Sequence, residues 1–193
     1  MGTWAREEEP EMAVQRIFEG AARAFVDLGV SGAGMGQIAD YVGCSRGTLY
    51  RYFKNRHDLH IAFVNDRAMR LVAELEIELR ELKDPVMQLT ESIVKALQKV
   101  RSTPSMAVWF EPMESGRTAR MSRGSEVVHC LAEAFVASLW KGQGDAGNEN
   151  ENGLRARWIV RIMISFLTTP AHDEEEERLM IERFLVPGVL PFG

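Results

Sequence analysis

Apolar side chains recur at three- and four-residue intervals along most of this chain, the spacing that lines one face of an α-helix. Val14, Ile17, Phe18, Ala21, Ala22, Phe25 and Leu28 predict a first helix that stops at Gly29. A Gly-rich turn, SGAG, precedes Met35, Ile38, Ala39 and Val42, which mark a second helix of about two turns. Beyond Gly43, Cys44 and Ser45, the segment RGTLYRYF sets Leu49 and Phe53 four apart so that both point inward, with Ser45 placed to cap it. Asn55 and Asp58 form a capping signal for a long fourth helix reaching Leu82. Its apolar face changes partway: Leu59, Ala62 and Phe63 form one patch, Asp66, Arg67 and Arg70 interrupt it, and Val72, Leu75, Leu79 and Leu82 resume. One helix therefore serves two cores.

Asp84 before Pro85 starts a fifth helix that runs to Pro104, because Asp caps and Pro is preset for the first turn. SMAVWFEPMESG predicts a short helix cut at Pro112 and Gly116, and EVVHCLAEAFVASLW a strongly apolar one near 125–141. The stretch GQGDAGNENENG, with four Gly and three Asn in twelve residues, reads as a flexible loop. Two helices follow, over 152–168 and 172–186, before the ending VPGVLPFG. No alternating pattern of strand length occurs, so the expected fold is all-α with about nine helices.

Composition narrows the function. The chain has 193 residues, 46% apolar and 26% charged, as in a soluble globular protein of one domain or of a small domain joined to a larger one. No repeat is visible, which excludes solenoids and fibres. A net charge of -5 gives no general affinity for nucleic acid, so any such affinity is local. The opening MGTWAREEEPEM lacks the basic and apolar regions of a signal peptide. The most apolar run, WIVRIMISFL, is broken by Arg161 and falls short of the roughly 20 residues needed to span a bilayer, so no membrane partner is expected. Cys44 and Cys130 are too far apart in sequence for a metal-ligand pair or a disulfide framework, which suits a reducing cytoplasm. There is no HExxH, no phosphate loop and no GxSxG, so neither an enzyme nor a cofactor is expected. His57 and His60 have a spacing that suits a metal, but beside Lys54 and Arg56 they are expected to face solvent or phosphate.

Three amino-terminal helices, two of them short and joined by a Gly-containing turn, are the makings of a helix-turn-helix, whose second short helix enters the DNA major groove. Between Gly43 and His60 stand Arg46, Arg51, Lys54 and Arg56 against the single acid Asp58, a net of +3 inside an acidic protein. Thr48, Tyr50 and Tyr52 are interleaved, with hydroxyls for phosphate oxygens and rings for sugar or a thymine methyl, and Gly47 lets backbone come close. A solvated basic turn accounts for the charges equally well.

The order of residues goes further. Gly36-Gln37-Ile38-Ala39-Asp40-Tyr41-Val42-Gly43-Cys44-Ser45-Arg46-Gly47-Thr48-Leu49-Tyr50-Arg51-Tyr52-Phe53, followed by Arg56 and Leu59, strongly resembles the tetracycline-repressor (TetR) family of bacterial transcriptional regulators. The resemblance covers roughly residues 11–60; the remainder agrees only in length and class. It implies a helix-turn-helix DNA-binding domain over 9–57 and a helical effector-binding and dimerisation domain over 58–193. It also implies a DNA face made of Gln37, Ser45, Arg46, Gly47, Thr48, Tyr50, Arg51, Tyr52, Lys54 and Arg56, with Arg56 as the phosphate contact at the start of the fourth helix. Leu49, Phe53, Ile38 and Ala39 belong to the core. Gly34 stands where the family usually has a Ser or Thr cap, and Cys44 where it usually has an aliphatic residue. Cys44 is expected to be a small buried apolar group rather than a redox switch.

Relatives of this family bind small, often apolar molecules in the carboxy-terminal domain. Here Met106, Trp109, Phe110, Met113, Met121, His129, Cys130, Phe135 and Trp140 mix thioethers and rings. Each fits ordinary core, and together they suit an adaptable cavity. Met106, Trp109, Phe110, Met113, His129 and Phe135 are the candidate ligand contacts, with His129 the leading polar group and Glu111 and Glu114 behind it. Leu154, Trp158, Ile162 and Phe166, flanked by Ile159, Met163 and Leu167, make the helix over 152–168 apolar around most of its circumference, so they, with Leu179, are the candidate dimer interface. Arg155, Arg157 and Arg161 can meet the acidic run Asp173 to Glu177, which also complements a helix start. The function this implies is a homodimeric repressor that binds a palindromic double-stranded DNA operator and responds to a small-molecule effector. The alternatives are a helical ligand carrier without DNA binding and an enzyme with no recognisable motif.

Overall fold

Caps and turns set the helix boundaries in the computed structural model, which describes residues 10–112, 114, 125–139 and 149–190. Every regular element among them is helical. Helix α1 (Pro10–Gly32) breaks at Gly29, as its apolar pattern predicts, but one more turn continues to Gly32. Gly29 has φ 72° and ψ 157°, a conformation that costs residues with a Cβ strain. Helix α2 (Met35–Val42) ends where Gly43 turns left-handed at φ 76°, letting the Cys44 N–H reach the Ala39 carbonyl at 3.0 Å. Ser45 then caps α3 (Arg46–Tyr52), its Oγ accepting from the Thr48 N–H at 3.0 Å. Asn55 caps α4 (Arg56–Leu79) through the Asp58 N–H, and Asp84 caps α5 (Pro85–Ser102) through the Met87 N–H.

Pro104 opens the short α6 (Pro104–Ala107), which tightens into a 3-10 turn over Val108–Phe110. Helix α7 (Glu126–Leu139) and helix α8 (Glu149–Thr168) pack side by side. Asp173 caps α9 (Glu174–Met180), which widens into a π-helical turn over Ile181–Leu185 and closes as α10 (Val186–Val189). Three boundaries differ from the sequence reading. Helix α4 stops at Leu79, three residues short of Leu82, which folds back by an N–H bond to the Leu79 carbonyl. Helix α8 begins at Glu149, inside the expected loop. The last segment is not one regular helix, because the π-helical turn interrupts it.

The buried residues form two main clusters. The first joins Ile17, Phe18 and Phe25 of α1 with Ile38, Leu49, Leu59 and Phe63, and takes in Val108 and Trp109 from the turn after α6. It therefore crosses the boundary expected after residue 57. The second gathers Leu89, Ile93 and Leu97 of α5, Val136 of α7, Ile159 and Phe166 of α8, and Ile181 and Leu185 beyond α9. A small group of Leu75, Leu79 and Ala96 packs the far end of α4 on α5. Helix α4 does serve two cores. At its change of face Asp66 is buried, accepting from Gln15 Nε2 at 3.1 Å and from Arg70 Nε at 3.0 Å.

Candidate DNA-reading face and effector cavity

Leu49 is fully buried under α1 and α2, and this fixes which face of α3 looks outward. Arg46, Gly47, Tyr50 and Arg51 are exposed, as are Gln37 at the start of α2, Ser45 and Lys54. Thr48 and Tyr52 are half-buried at the edges, and the Arg51 guanidinium lies 6.0 Å from the centre of the Tyr52 ring. Ser45 and Thr48 hydroxyls share a hydrogen bond of 2.9 Å, which orders the first turn before any partner arrives. The Arg46 guanidinium lies over α2 beside Gly36. A short helix is thus presented with basic, hydroxyl and ring groups outward and its aliphatic residue inward, the arrangement that major-groove recognition requires. No helix of the described residues is long and apolar enough to cross a membrane.

Beyond α3, the helices α4, α5, α7 and α8, the candidate effector half, border a largely apolar space. A narrow lobe of about 170 Å³ is walled by Phe63, Val64 and Leu71 of α4, Met106, Trp109 and Phe110, and residues of α5, α7 and α8. A wider lobe of about 490 Å³ runs between α4, α5, α7 and α8, and Phe135 is among its walls. Ala68, Leu71, Val128, Val160 and Met163 border both, so the two lobes adjoin across these side chains. Trp109 links this space to the first core. Its ring meets Phe25 at 5.3 Å and His60 at 5.1 Å edge-on, and lies 6.1 Å from Phe63 in a stacked arrangement.

Comparison with known proteins places this architecture. The pattern described as "Bacterial regulatory proteins, tetR family" matches residues 17–63. An HTH-type transcriptional regulator of Mycobacterium tuberculosis, Rv1255c, is 38% identical over 188 residues, covering 97% of this chain and 91% of that one. The chain belongs to the TetR family. The HTH-type transcriptional repressor AcnR of Corynebacterium glutamicum is 31% identical over 84% of this chain and 79% of its own length. Among solved structures, the TetR family repressor AlkX from Dietzia, implicated in biodegradation of n-alkanes, superposes with a TM-score of 0.66 at 19% identity, covering 98% of this chain and 97% of that one. The protein is a TetR-family transcriptional regulator with a helix-turn-helix DNA-binding domain, and membership of this family displaces the enzyme reading.

Several residues of this TetR-family regulator sit differently from expectation. The Arg56 guanidinium donates to the Ser31 carbonyl at 3.1 Å, so it ties α4 to the end of α1. Glu114, a second-choice ligand contact, is buried and accepts from the Ser31 N–H at 2.6 Å, closing the turn just past Gly29. Glu111 is exposed. His60 faces neither solvent nor phosphate, because the first turn of α4 carries it inward against Phe25 and Trp109, while His57 is exposed. His129 lines neither lobe, although Val128 beside it lines both. Met113, Met121 and Trp140 lie outside the described residues.

On the candidate dimer face, Leu154, Trp158 and Leu179 are exposed, with Met180 and Phe184 alongside, and Phe184 is 72% exposed. Ile162 is half-buried, while Phe166 turns into the second core, so it is not part of an outer face. Arg155 bonds Glu151 on its own helix, and the acidic run is met instead from α5, where Arg101 Nη1 donates to Glu177 at 2.8 Å. The sequence reading also missed Arg67. It lines the narrow lobe, and its signal was a cation in the break that Asp66, Arg67 and Arg70 make between the two apolar patches of α4.

Proposed function

We propose that this regulator is a repressor that acts in the cytoplasm as a homodimer on a palindromic operator and is released when a small, largely apolar molecule fills the cavity between α4 and α8. One observation carries the reading: Phe63 and Trp109 wall the cavity and belong to the core on which α3 rests. A ligand that prefers one arrangement of these two rings shifts the seat of the reading helix by that preference and no more. Two recognition helices fit successive major grooves only when they stand about 34 Å apart or a multiple of it, so a small change of separation weakens binding. Exposed Leu154, Trp158, Leu179 and Phe184 support pairing through α8 and α9, since a second copy removes this apolar surface from water.

The test is selection of genomic fragments by the purified protein, with sedimentation to read its mass. The expected result is a dimer of the 21.8 kDa chain on a symmetric site, and Tyr50→Ala loses the site with an unchanged melting curve. Enrichment of no sequence, or Tyr50→Ala binding as well as the wild type, overturns the DNA-reading face and favours a helical ligand carrier.

A further inference from the structure

The narrow lobe of the cavity contains a charge in the wrong place for a purely apolar ligand. Among the described residues walling the narrow lobe, Arg67 alone is ionisable. Its side chain is only 23% exposed and its guanidinium lies 4.9 Å from the centre of the Phe63 ring. Its Nε is buried with no hydrogen-bond partner among the described residues. The nearest carboxylate gives it little: Asp66 Oδ2 stands 3.7 Å from Arg67 Nη1, while the oxygens of Asp66 already accept from Gln15 and Arg70. Burial pushes the Arg67 guanidinium below the usual arginine range, with Asp66 and Glu19 opposing that shift and Arg70 adding to it. A half-buried guanidinium whose Nε–H is unmet is costly until an acceptor arrives.

We propose, resting on the effector reading above, that the effector is a single-chain amphiphile whose anionic carboxylate is received by Arg67 while its hydrocarbon tail runs into the wider lobe. A carboxylate matches the planar fork of arginine. A hydrocarbon filling the narrow lobe would strip water from Arg67 and return no hydrogen bond, and a neutral hydroxyl would return a weaker one than a carboxylate. The opposite orientation is disfavoured. Arg80, the other cation on the cavity wall, is exposed, bonds Glu81 at 3.1 Å, and shares that end with Glu76, which repels an anion. Held at Arg67, the head group lies beside Phe63 and Trp109, the two rings shared with the reading half.

Calorimetric titration of the full chain with dodecanoate and with dodecanol, both below their micelle concentrations, tests this. The wild type binds the acid about tenfold to a hundredfold more tightly than the alcohol, the size of a hydrogen bond to a charged partner. Arg67→Met removes that preference and keeps alcohol binding, which also shows that the variant folds. Arg67→Lys retains part of the preference, and Arg80→Met leaves both affinities unchanged. Equal binding of acid and alcohol by the wild type, or an undiminished preference in Arg67→Met, sinks the head-group inference and leaves the apolar effector site standing. Binding of neither compound sinks both.

Discussion

The reading half and the effector half are made from the same helix-forming residues and are finished to different standards of packing. In the first, Ile17, Phe25, Ile38, Leu49 and Leu59 have no exposed surface, and each short helix is closed by its own cap or turn. In the second, α4, α5, α7 and α8 leave two adjoining spaces where a protein interior is ordinarily filled. That half has its own buried cluster around Leu89, Leu97, Val136 and Ile181 and adds polar ties between helices: Arg101 with Glu177, Arg178 with Glu91, and Lys99 with Glu74 and Glu78. A well-packed core keeps a recognition helix in one pose, and an underfilled one leaves free energy for a ligand to supply. The contrast explains why Trp109 matters, since it is 4% exposed in the first core and still borders the second half's open space.

The largest effects test that contrast directly. Leu49→Ala opens a cavity in the filled core and is expected to cost about 2–5 kcal/mol. Leu71→Ala only enlarges space already present and should cost about 1 kcal/mol, because Leu71 is half-buried. Urea unfolding of the two variants measures the gap; equal losses would mean that the effector half is packed as tightly as the head. Glu177→Ala leaves Arg101 without its carboxylate and is expected to cost about 3 kcal/mol, read by the same melts. A loss below 1 kcal/mol, about the worth of a surface pair, would show that close packing and not polar ties holds that half. Ser45→Ala removes a single cap and should cost about 1 kcal/mol, with operator affinity falling as the first turn of α3 loosens.

The two halves also differed in how far their sequences could be read. In the head, structure is set by neighbours in the chain: Gly43 for the turn, Ser45 and Asn55 for the caps, Leu49 and Phe53 for the inward face. All of these stand as the spacing implied. The exception is Arg56, whose bond to Ser31 spans a distance that no local pattern reports. In the effector half, function depends on which helix lies against which. Asn152 and Gly153 look like loop residues, yet both are buried in the first turns of α8. A Cβ on Gly153 would come within 3.1 Å of the Glu133 carboxylate on α7, a flexible side-chain end that can shift, so what the pattern missed here is the burial rather than a need for glycine. His129 was attractive as an imidazole on an apolar helix, but helix rotation decides what lines a cavity, and it favours Val128. Arg67 was visible as a break in the apolar face of α4; that the break opens on a cavity required the positions of α6 and α8.

The smallest effect concerns the two cysteines, one in each half. Cys44 packs partly buried against the first core, and burial pushes its thiol up, with Arg16 opposing and Asp40 reinforcing the shift. Cys130 on α7 is exposed. The thiolate is the reactive form, so at a pH near 8 a raised pKa and restricted access both slow Cys44. Mass spectrometry of the protein treated briefly with iodoacetamide should find Cys130 alkylated first and Cys44 only as labelling is prolonged. The order is expected to hold in the free protein and in its complex with DNA, since Cys44 packs against the filled core of the head. Equal labelling rates would mean that the head breathes as readily as the effector half, and the division between a filled core and an open one would no longer account for how this regulator works.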